Sequence, residues 1–527
     1  MAQNLILVAI VLFLCLMAEK LSGKVGMPAL ILFMGVGMLF GSDGILRIAF
    51  DDYGLAQNIC LIALCFIMFY GGFNMKWSAA RPVAVKAICL STIGVVVTAG
   101  LTAVFCLVVL KFDFVDAFLM GAVLSSTDAA SVFSVLRTKK LNLKDGTASI
   151  LEMESGSNDP VAYLLTMIGI MMKTGGSLSS LPYMIFAQVV FGLAIGAAAA
   201  SLGILLLKKG TMQAAGMDMI LVIALVMIAF GLSEAIGGNA FLTVYLMGIL
   251  LSCIRGKETL IPFFDGMTGL AQIVLFFLLG LLSFPHKLPQ IFFVSLAIAI
   301  VLTVIIRPAT VFLIMKPFKC SSRQCLMISW AGLRGAASIV FAIMVIAASS
   351  SSSDTLFHTV FMVALLSVAI QGTLLPFVAE KLKMVDDSCD VRMTFNDYKE
   401  ASEITMMQME IPDGHNWENC LVKDVSMPTG SLAVMIKRHG ETLIPGGDTR
   451  ILAGDTIVLS VPAYESGGQE HLEEQEITQK HRWCNKTIAE LMLPHGTLIV
   501  LVRRGNENII PNGQTEILEG DHVVIYR

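Results

Sequence analysis

The sequence predicts an all-α polytopic membrane domain followed by a small α+β cytosolic region. Three observations predict it: successive apolar runs long enough to cross a bilayer, basic residues gathered in alternate loops, and an abrupt change of composition after Lys383. Of the 527 residues, 56% are apolar and only 14% charged, and mean hydropathy is +0.78. A soluble chain of this length would form several domains, each with a charged surface. The net charge of −4 gives nucleic acid no footing as a partner. The 11 cysteines are scattered through apolar runs without paired spacing, so they read as reduced packing residues rather than a disulfide framework or metal site. The 31 methionines are not clustered at ligand spacing and read as lipid-facing or flexible packing.

Apolar runs of about 17–25 residues match a hydrocarbon core of about 30 Å. They fall near 4–19, 25–41, 55–74, 84–110, 115–136, 147–172, 183–207, 217–235, 239–254, 267–283, 288–315, 323–347 and 356–380, which predicts 13 transmembrane helices. The first run lacks a positive cap and a small-residue cleavage site, so it is expected to be a retained helix rather than a signal peptide. Lys and Arg accumulate in cytoplasmic loops. Alternate loops carry Lys20/Lys24, Lys76/Arg81/Lys86, Arg137/Lys139/Lys140/Lys144, Lys208/Lys209, Arg255/Lys257, Lys316/Lys319/Arg323 and Lys381/Lys383. The intervening loops hold only Arg47, Lys111, Lys173 and Lys287. This alternation predicts an N-terminus outside and a cytoplasmic C-terminus, with the Ser349–Ser353 run in an external loop.

Ionisable groups inside such spans are expensive unless paired or hydrated. The sixth span opens with Glu154-Ser155-Gly156-Ser157-Asn158-Asp159-Pro160. Helical spacing stacks Glu154 on Asn158 and Ser155 on Asp159, gathering oxygen donors of the kind a hard cation takes. No His or Cys joins them, which argues against zinc or copper. The fifth span contains Ser125-Ser126-Thr127-Asp128, short polar residues that compete for backbone bonds. In the twelfth, Gly332 and Gly335 flank Arg334. Two breakable spans are the pointer to a midplane site in an inverted-repeat transporter. Arg334 stays charged and needs a partner, for which Glu154 is the candidate. Asp159 is then the carboxylate free to take a proton or, ionised, a cation, so the two compete for one site. Bland alternatives remain: Asn158 and Asp159 as a helix joint, Asp128 as a cap on a half-helix, and Glu154 with Arg334 as structure only. Asp218 and Glu234, near span ends, need no more than snorkelling. For Arg307 a helix-packing charge partner is expected.

At these residues the chain resembles the NhaP/NHE-type branch of the monovalent cation:proton antiporters. The resemblance lies in Glu154-Ser155 leading into Asn158-Asp159, Thr127-Asp128, Gly332-Leu333-Arg334-Gly335, and the run from Gly238 to Gly248 (Gly-Asn-Ala-Phe-Leu-Thr-Val-Tyr-Leu-Met-Gly). It spans residues 1–383. It implies an inverted-repeat antiporter fold with two broken crossing helices, a homodimer whose core moves against a dimerisation domain, and electroneutral exchange serving pH and volume homeostasis at the bacterial inner membrane. It implies Asp159 as the main cation and proton carrier, with Ser155, Asp128 and the Thr127 backbone assisting. Asn158 marks the electroneutral branch, and Glu154 with Arg334 matches a structural ion pair. The motif does not itself separate K⁺ from Na⁺.

Residues 384–402 read as a linker. Beyond it a unit recurs at an offset of 66 residues: Met427-Pro428-x-Gly430-x-Leu432 as Leu493-Pro494-x-Gly496-x-Leu498, Ile444-Pro445-x-Gly447 as Ile510-Pro511-x-Gly513, and Trp417 and Asn419 as Trp483 and Asn485. Alternating apolar residues between Gly and Pro turns predict short strands. Each copy, 403–462 and 469–527, is similar to the C-terminal lobe of RCK (TrkA-C) domains, which implies a regulatory module that is often dimeric and senses a small ligand. A cyclic dinucleotide in the groove between lobes is one candidate and a passive dimerisation clamp the alternative. No Gly-x-Gly-x-x-Gly turn precedes a helix in the tail, so NAD is not expected. No cofactor is expected besides the transported K⁺ or Na⁺ and H⁺, and the tail tilts the choice toward K⁺.

Two rival classes fare worse. A potassium channel needs a carbonyl-lined filter such as Thr-Val-Gly-Tyr-Gly, which is absent from the sequence. A membrane enzyme would need a Walker A loop, a His-Glu-x-x-His pair or a Gly-x-Ser-x-Gly elbow, also absent. The chain is therefore expected not to be an enzyme, and its energy source is expected to be an ion gradient.

Overall fold

The computed structural model describes all residues except 1, 26–27, 46, 49, 51, 76–79, 140, 209–215, 255–259, 349–353, 386–403, 413, 426, 428–430, 439–440, 463–471, 478–480, 492–497, 505–506, 510 and 527. Outside the described residues lie Lys76, Lys140, Lys209, Arg255 and Lys257 of the basic loops, the Ser349–Ser353 run, most of the expected linker, and Pro428, Gly430, Leu493, Pro494, Gly496 and Ile510 of the repeat. The chain divides into two units, Met1–Tyr398 and Lys399–Arg527.

The first unit is built from helices: α1 (Ala2–Val25), α2 (Ala29–Phe40), α3 (Tyr53–Phe73), α4 (Ala84–Val108), α5 (Phe114–Leu124), α6 (Ala129–Thr138), α7 (Thr147–Lys173), α8 (Leu181–Lys208), α9 (Met217–Ala235), α10 (Ala240–Leu251), α11 (Ile261–Leu281), α12 (Leu288–Val301), α13 (Arg307–Met315), α14 (Ser322–Trp330), α15 (Ala336–Ala348), α16 (Asp354–Leu366) and α17 (Thr373–Lys381). Among the described residues, eight helical stretches are long and apolar enough to cross a membrane, and α2, α5, α10 and α15 are shorter apolar helices. At 27 residues α7 is long enough too, but Glu152, Glu154 and Asp159 make it too polar for that description.

Two π turns interrupt otherwise continuous helices, Leu302–Ile306 between α12 and α13 and Ser367–Gly372 between α16 and α17. Each is followed within a few residues by a proline, Pro308 or Pro376. Proline offers no N–H to the preceding turn and crowds its carbonyl, and a wider turn accommodates both effects.

Packing sorts the helices into two groups. One joins α1, α2, α3, α8, α9, α10 and α11; the other joins α4 to α7 and α12 to α17. The groups meet chiefly where α15 faces α3 and α10 faces α7, with smaller contacts of α11 with α15 and of α7 with α3 and α8. Within the first group α3 and α10 approach closely: a Cβ on Gly248 would stand 2.8 Å from the Phe73 nitrogen. Asp218 and Glu234 are exposed at the two ends of α9, so a polar contact at the helix ends suffices for them.

The second unit holds two four-stranded antiparallel sheets. The first has β1 (Ile404–Glu410), β2 (Leu432–Arg438), β3 (Glu441–Leu443) and β4 (Thr456–Pro462) in the order β1-β4-β2-β3. The second has β5 (Leu472–Glu476), β7 (Leu498–Arg504), β8 (Glu507–Ile509) and β10 (His522–Tyr526) in the order β5-β10-β7-β8. The short pair β6 (Lys486–Thr487) and β9 (Glu516–Ile517) matches the isolated bridge between Leu421 and Arg450 in the first copy. The repeat extends to side chains. Arg438 grips Asp455 through Nε and Nη2 at 2.8 and 2.7 Å, and Arg504 grips Asp521 through the same atoms at 2.8 Å each. Asn419 and Asn485 both take positive φ, 62° and 58°, which asparagine tolerates better than most residues.

Candidate functional site

The site begins where two helices stop. α5 ends at Leu124 and α6 resumes at Ala129; α14 ends at Trp330 and α15 resumes at Ala336. Ser125, Ser126, Thr127 and Asp128 unwind because short polar side chains compete for their own backbone bonds. Gly332 and Gly335 unwind the other segment because glycine has most freedom to lose in a helix. The two unwound segments cross, and the Asp128 N–H donates to the Leu333 carbonyl at 2.8 Å. Both glycines are needed for closeness: a Cβ on Gly332 would stand 2.6 Å from Arg307 Nε, and one on Gly335 would overlap the Asp128 carboxylate.

Charges sit at the half-helix ends according to sign. Arg334 Nη1 donates to the carbonyls of Ser125 at 2.9 Å and Ser126 at 2.7 Å, just beyond the negative end of α5. At the positive start of α6, the Asp128 carboxylate accepts from Ser131 Oγ at 2.6 Å and more loosely from Ser131 N–H at 3.4 Å. Asp128 thus acts as a cap in this structure. The Arg334 N–H donates to Ser367 Oγ at 3.1 Å, which ties the crossing to the π turn before α17.

The expected ion pair of Glu154 with Arg334 is corrected here. Glu154 is paired with Arg307, whose Nη2 donates to both carboxylate oxygens at 2.8 and 2.9 Å. Both side chains are 1% exposed. Arg334 is drawn instead to the carbonyls that the broken helix leaves without intrahelical donors, a stronger local demand than a carboxylate already held by another guanidinium. The helix-packing charge partner expected for Arg307 is thus Glu154. The signal available was a cation beside a proline in mid-span.

On α7 the polar turn faces this crossing. Ser155 Oγ donates to the Thr127 carbonyl at 2.7 Å, Asn158 Nδ2 donates to Thr127 Oγ1, and Ser126 Oγ donates to Asp159 Oδ1. The amide nitrogen of Asn158 is thereby engaged, and its Oδ1 has no partner among the described residues. Asp159 is 3% exposed. Pro160 follows inside the helix and withholds the N–H that the Gly156 carbonyl would otherwise receive. Hydroxyl, carbonyl, carboxamide and carboxylate oxygens from Ser126, Thr127, Ser155, Asn158 and Asp159 therefore converge in one buried place. Oxygen sets of this kind suit hard cations. Asp128 stands at the edge of the group. Ser126, Asn239 and Tyr245 were not singled out as site residues from sequence. Asn239 donates to the Pro160 carbonyl at 2.8 Å, one residue beyond Asp159.

Comparison with known proteins identifies the family and the fold. The family described as sodium/hydrogen exchanger, transmembrane, matches residues 8–381, and the TrkA-C domain matches 406–463 and 472–526. The K(+)/H(+) antiporter NhaP2 of Shewanella sp. (strain MR-4) is 34% identical over 453 residues, covering 84% of this chain and 78% of that protein. The K(+)/H(+) antiporter NhaP of Alkalimonas amylolytica is 34% identical over 385 residues, covering 72% of this chain and 67% of that protein. The sodium proton antiporter MjNhaP1 from Methanocaldococcus jannaschii shares the fold, with a TM-score of 0.63 at 21% identity over 72% of this chain and 99% of that one. The chain belongs to the sodium/hydrogen exchanger family and carries a tail of two TrkA-C domains.

Proposed function

We propose that this chain is an electroneutral antiporter exchanging K⁺ for protons across the bacterial inner membrane, with Asp159 holding either ion. The carrying observation is a difference between two buried carboxylates. Glu154 is matched by Arg307, whereas Asp159 makes no ion pair among the described residues and accepts from the Ser126 hydroxyl. A carboxyl in that setting takes a proton when neutral and an alkali cation when ionised. One charge bound each way makes the cycle electroneutral. Ser155, Asn158, Thr127 and Asp128 are the further cation-contacting candidates, and Ser126 joins them. K⁺ is preferred because the NhaP2 and NhaP relatives described above, each 34% identical, are named K(+)/H(+) antiporters.

The remaining features of the reading are thirteen spans related by an inverted repeat, an external N-terminus and cytoplasmic C-terminus, and a homodimer. The tail is read as a regulatory module for a small ligand such as a cyclic dinucleotide; its support is the matched geometry of the two TrkA-C copies. The test is dequenching of a pH dye in everted vesicles on addition of K⁺, Na⁺ or Li⁺. The wild type is expected to respond to K⁺, and Asp159→Asn to lose the response while its amount in the membrane is unchanged. Unaltered exchange in Asp159→Asn removes this residue from the mechanism, and a response to Na⁺ alone overturns the choice of K⁺.

A further inference from the structure

The turn of α7 that carries Asp159 is touched from the other helix group by α10, and the character of that contact is unlike the rest of the helix's surroundings. Towards α3 and α8, α10 is locked by close backbone packing. A Cβ on Gly72 would stand 3.0 Å from the Ile249 nitrogen, and one on Gly196 would stand 2.7 Å from the Thr243 carbonyl oxygen. Thr243 Oγ1 donates to the Gly192 carbonyl at 3.0 Å, and the Asn239 N–H donates to the Gln188 carbonyl at 3.0 Å. Contacts this tight leave α10 no freedom to move independently of α3 and α8.

Towards α7 the contact is slighter and of two kinds. Phe241 meets Tyr163 edge-on at 5.1 Å between ring centroids, an apolar contact that can slide with little directional penalty. Two others are directional. Asn239 Nδ2 donates to the Pro160 carbonyl at 2.8 Å, and Ser157 Oγ donates to Tyr245 Oη at 3.3 Å. Tyr245 is 4% exposed. Its ring lies against the α7 backbone, since a Cβ on Gly156 would stand 2.6 Å from Tyr245 Cε2 and 2.9 Å from Cζ. These two bonds bracket residues 157–160 and hence Asp159 itself.

We infer that Tyr245 is a positioning residue: with Asn239 it latches the Asp159 turn onto the fixed α10, and release of this latch sets the maximal rate of exchange. The inference rests on the antiport reading, because only a protein that re-exposes its site must part α7 from α10. A bond formed in the described state and broken on leaving it lowers that state relative to the barrier. Removing it therefore speeds departure, while the oxygens that would hold the cation stay on α7 and on the unwound segment between α5 and α6. Tyr245→Phe is the cleanest probe, as it deletes one oxygen and keeps the ring over Gly156. Ser157→Ala deletes the other partner. Asn239 also caps α10 by accepting from Leu242 N–H at 3.0 Å, so substituting it would confound the latch with helix stability.

The experiment uses the full chain in liposomes, with proton movement followed on addition of K⁺ at several concentrations and rates normalised to incorporated protein. Wild-type liposomes that move no protons with K⁺ or Na⁺ overturn the antiport reading itself. Given exchange, Tyr245→Phe and Ser157→Ala are each expected to raise the maximal rate roughly two- to tenfold, the range of one neutral hydrogen bond. The half-saturating K⁺ concentration is expected to stay within about twofold, and the double variant to match the singles, since one bond can be lost only once. A changed half-saturating concentration at constant maximal rate overturns the latch, as do effects that multiply in the double variant. So does an unchanged or lowered rate per molecule, which is what a merely structural tyrosine would give.

Discussion

Glu154 and Arg307 form a buried pair whose energetics differ from those of a surface ion pair. Each is 1% exposed, and removing one partner strands the other charge in a low-dielectric interior, at about 3–5 kcal/mol. Glu154→Gln is therefore expected to lower thermal stability in detergent by that amount, independently of any effect on transport. Replacing both members of such a pair by apolar residues is often neutral, so Glu154→Leu combined with Arg307→Met is expected to recover most of the loss. The same Glu154 substitution combined with Arg334→Met is not expected to recover it, because Arg334 spends its guanidinium on the carbonyls of Ser125 and Ser126. Recovery with Arg334→Met and not with Arg307→Met would restore the pairing that the sequence suggested. The composition of the site was legible from sequence: Glu154, Ser155, Asn158, Asp159, Thr127, Asp128 and Arg334 all lie at or beside the crossing. Pairing was not legible, because Arg307 and Arg334 are equally charged, equally buried and each beside a helix irregularity. Only the three-dimensional crossing decides which one reaches Glu154.

The crossing of two unwound segments depends on what its glycines lack. A Cβ on Gly335 would overlap the Asp128 carboxylate, which is itself anchored by Ser131 at the start of α6. Neither neighbour can yield without disturbing the Asp128 to Leu333 bond. Gly335→Ala is expected to reduce exchange more than tenfold while the protein still inserts and accumulates, as read by the vesicle dye assay alongside an immunoblot. Gly100→Ala on α4 is the matched control, since nothing lies within 4 Å of a Cβ there, and it is expected to exchange normally. Wild-type rates in Gly335→Ala would mean that the crossing tolerates expansion. The interruptions were legible because Ser125 to Asp128 and the two glycines are poor helix formers in any setting. The π turns were not: Pro308 and Pro376 signal a disturbed helix, but whether it kinks, widens or ends depends on the neighbours it packs against.

The two units of the chain were legible for different reasons, and they are expected to fail under different conditions. In the first unit, apolar length and loop charge set the helices, because a bilayer allows few alternatives. In the second, the 66-residue repeat revealed strands and turns, and the matched arginine–aspartate pairs follow from it. Asp521 is fully buried. Burial alone would raise its affinity for a proton, but the Arg504 side chain and the Leu518 N–H hold its carboxyl below the usual range. A carboxyl with a lowered folded-state pKa contributes stability that is complete above its unfolded value of about 3.9 and is lost as pH falls through the lower folded one. The second lobe is therefore expected to be steady through neutral pH and to loosen below about pH 4. In the full chain, hydrogen exchange of β7 and β10, corrected for its intrinsic pH dependence, is the measurement. Asp521→Asn is expected to show the acid-like acceleration already at pH 7, from a loss of about 2 kcal/mol, with the exchange of α3 and α10 unaltered. Equal protection of β7 and β10 in variant and wild type at pH 7 would show that strand packing around Val502 and Val523, rather than the ion pair, holds this lobe together.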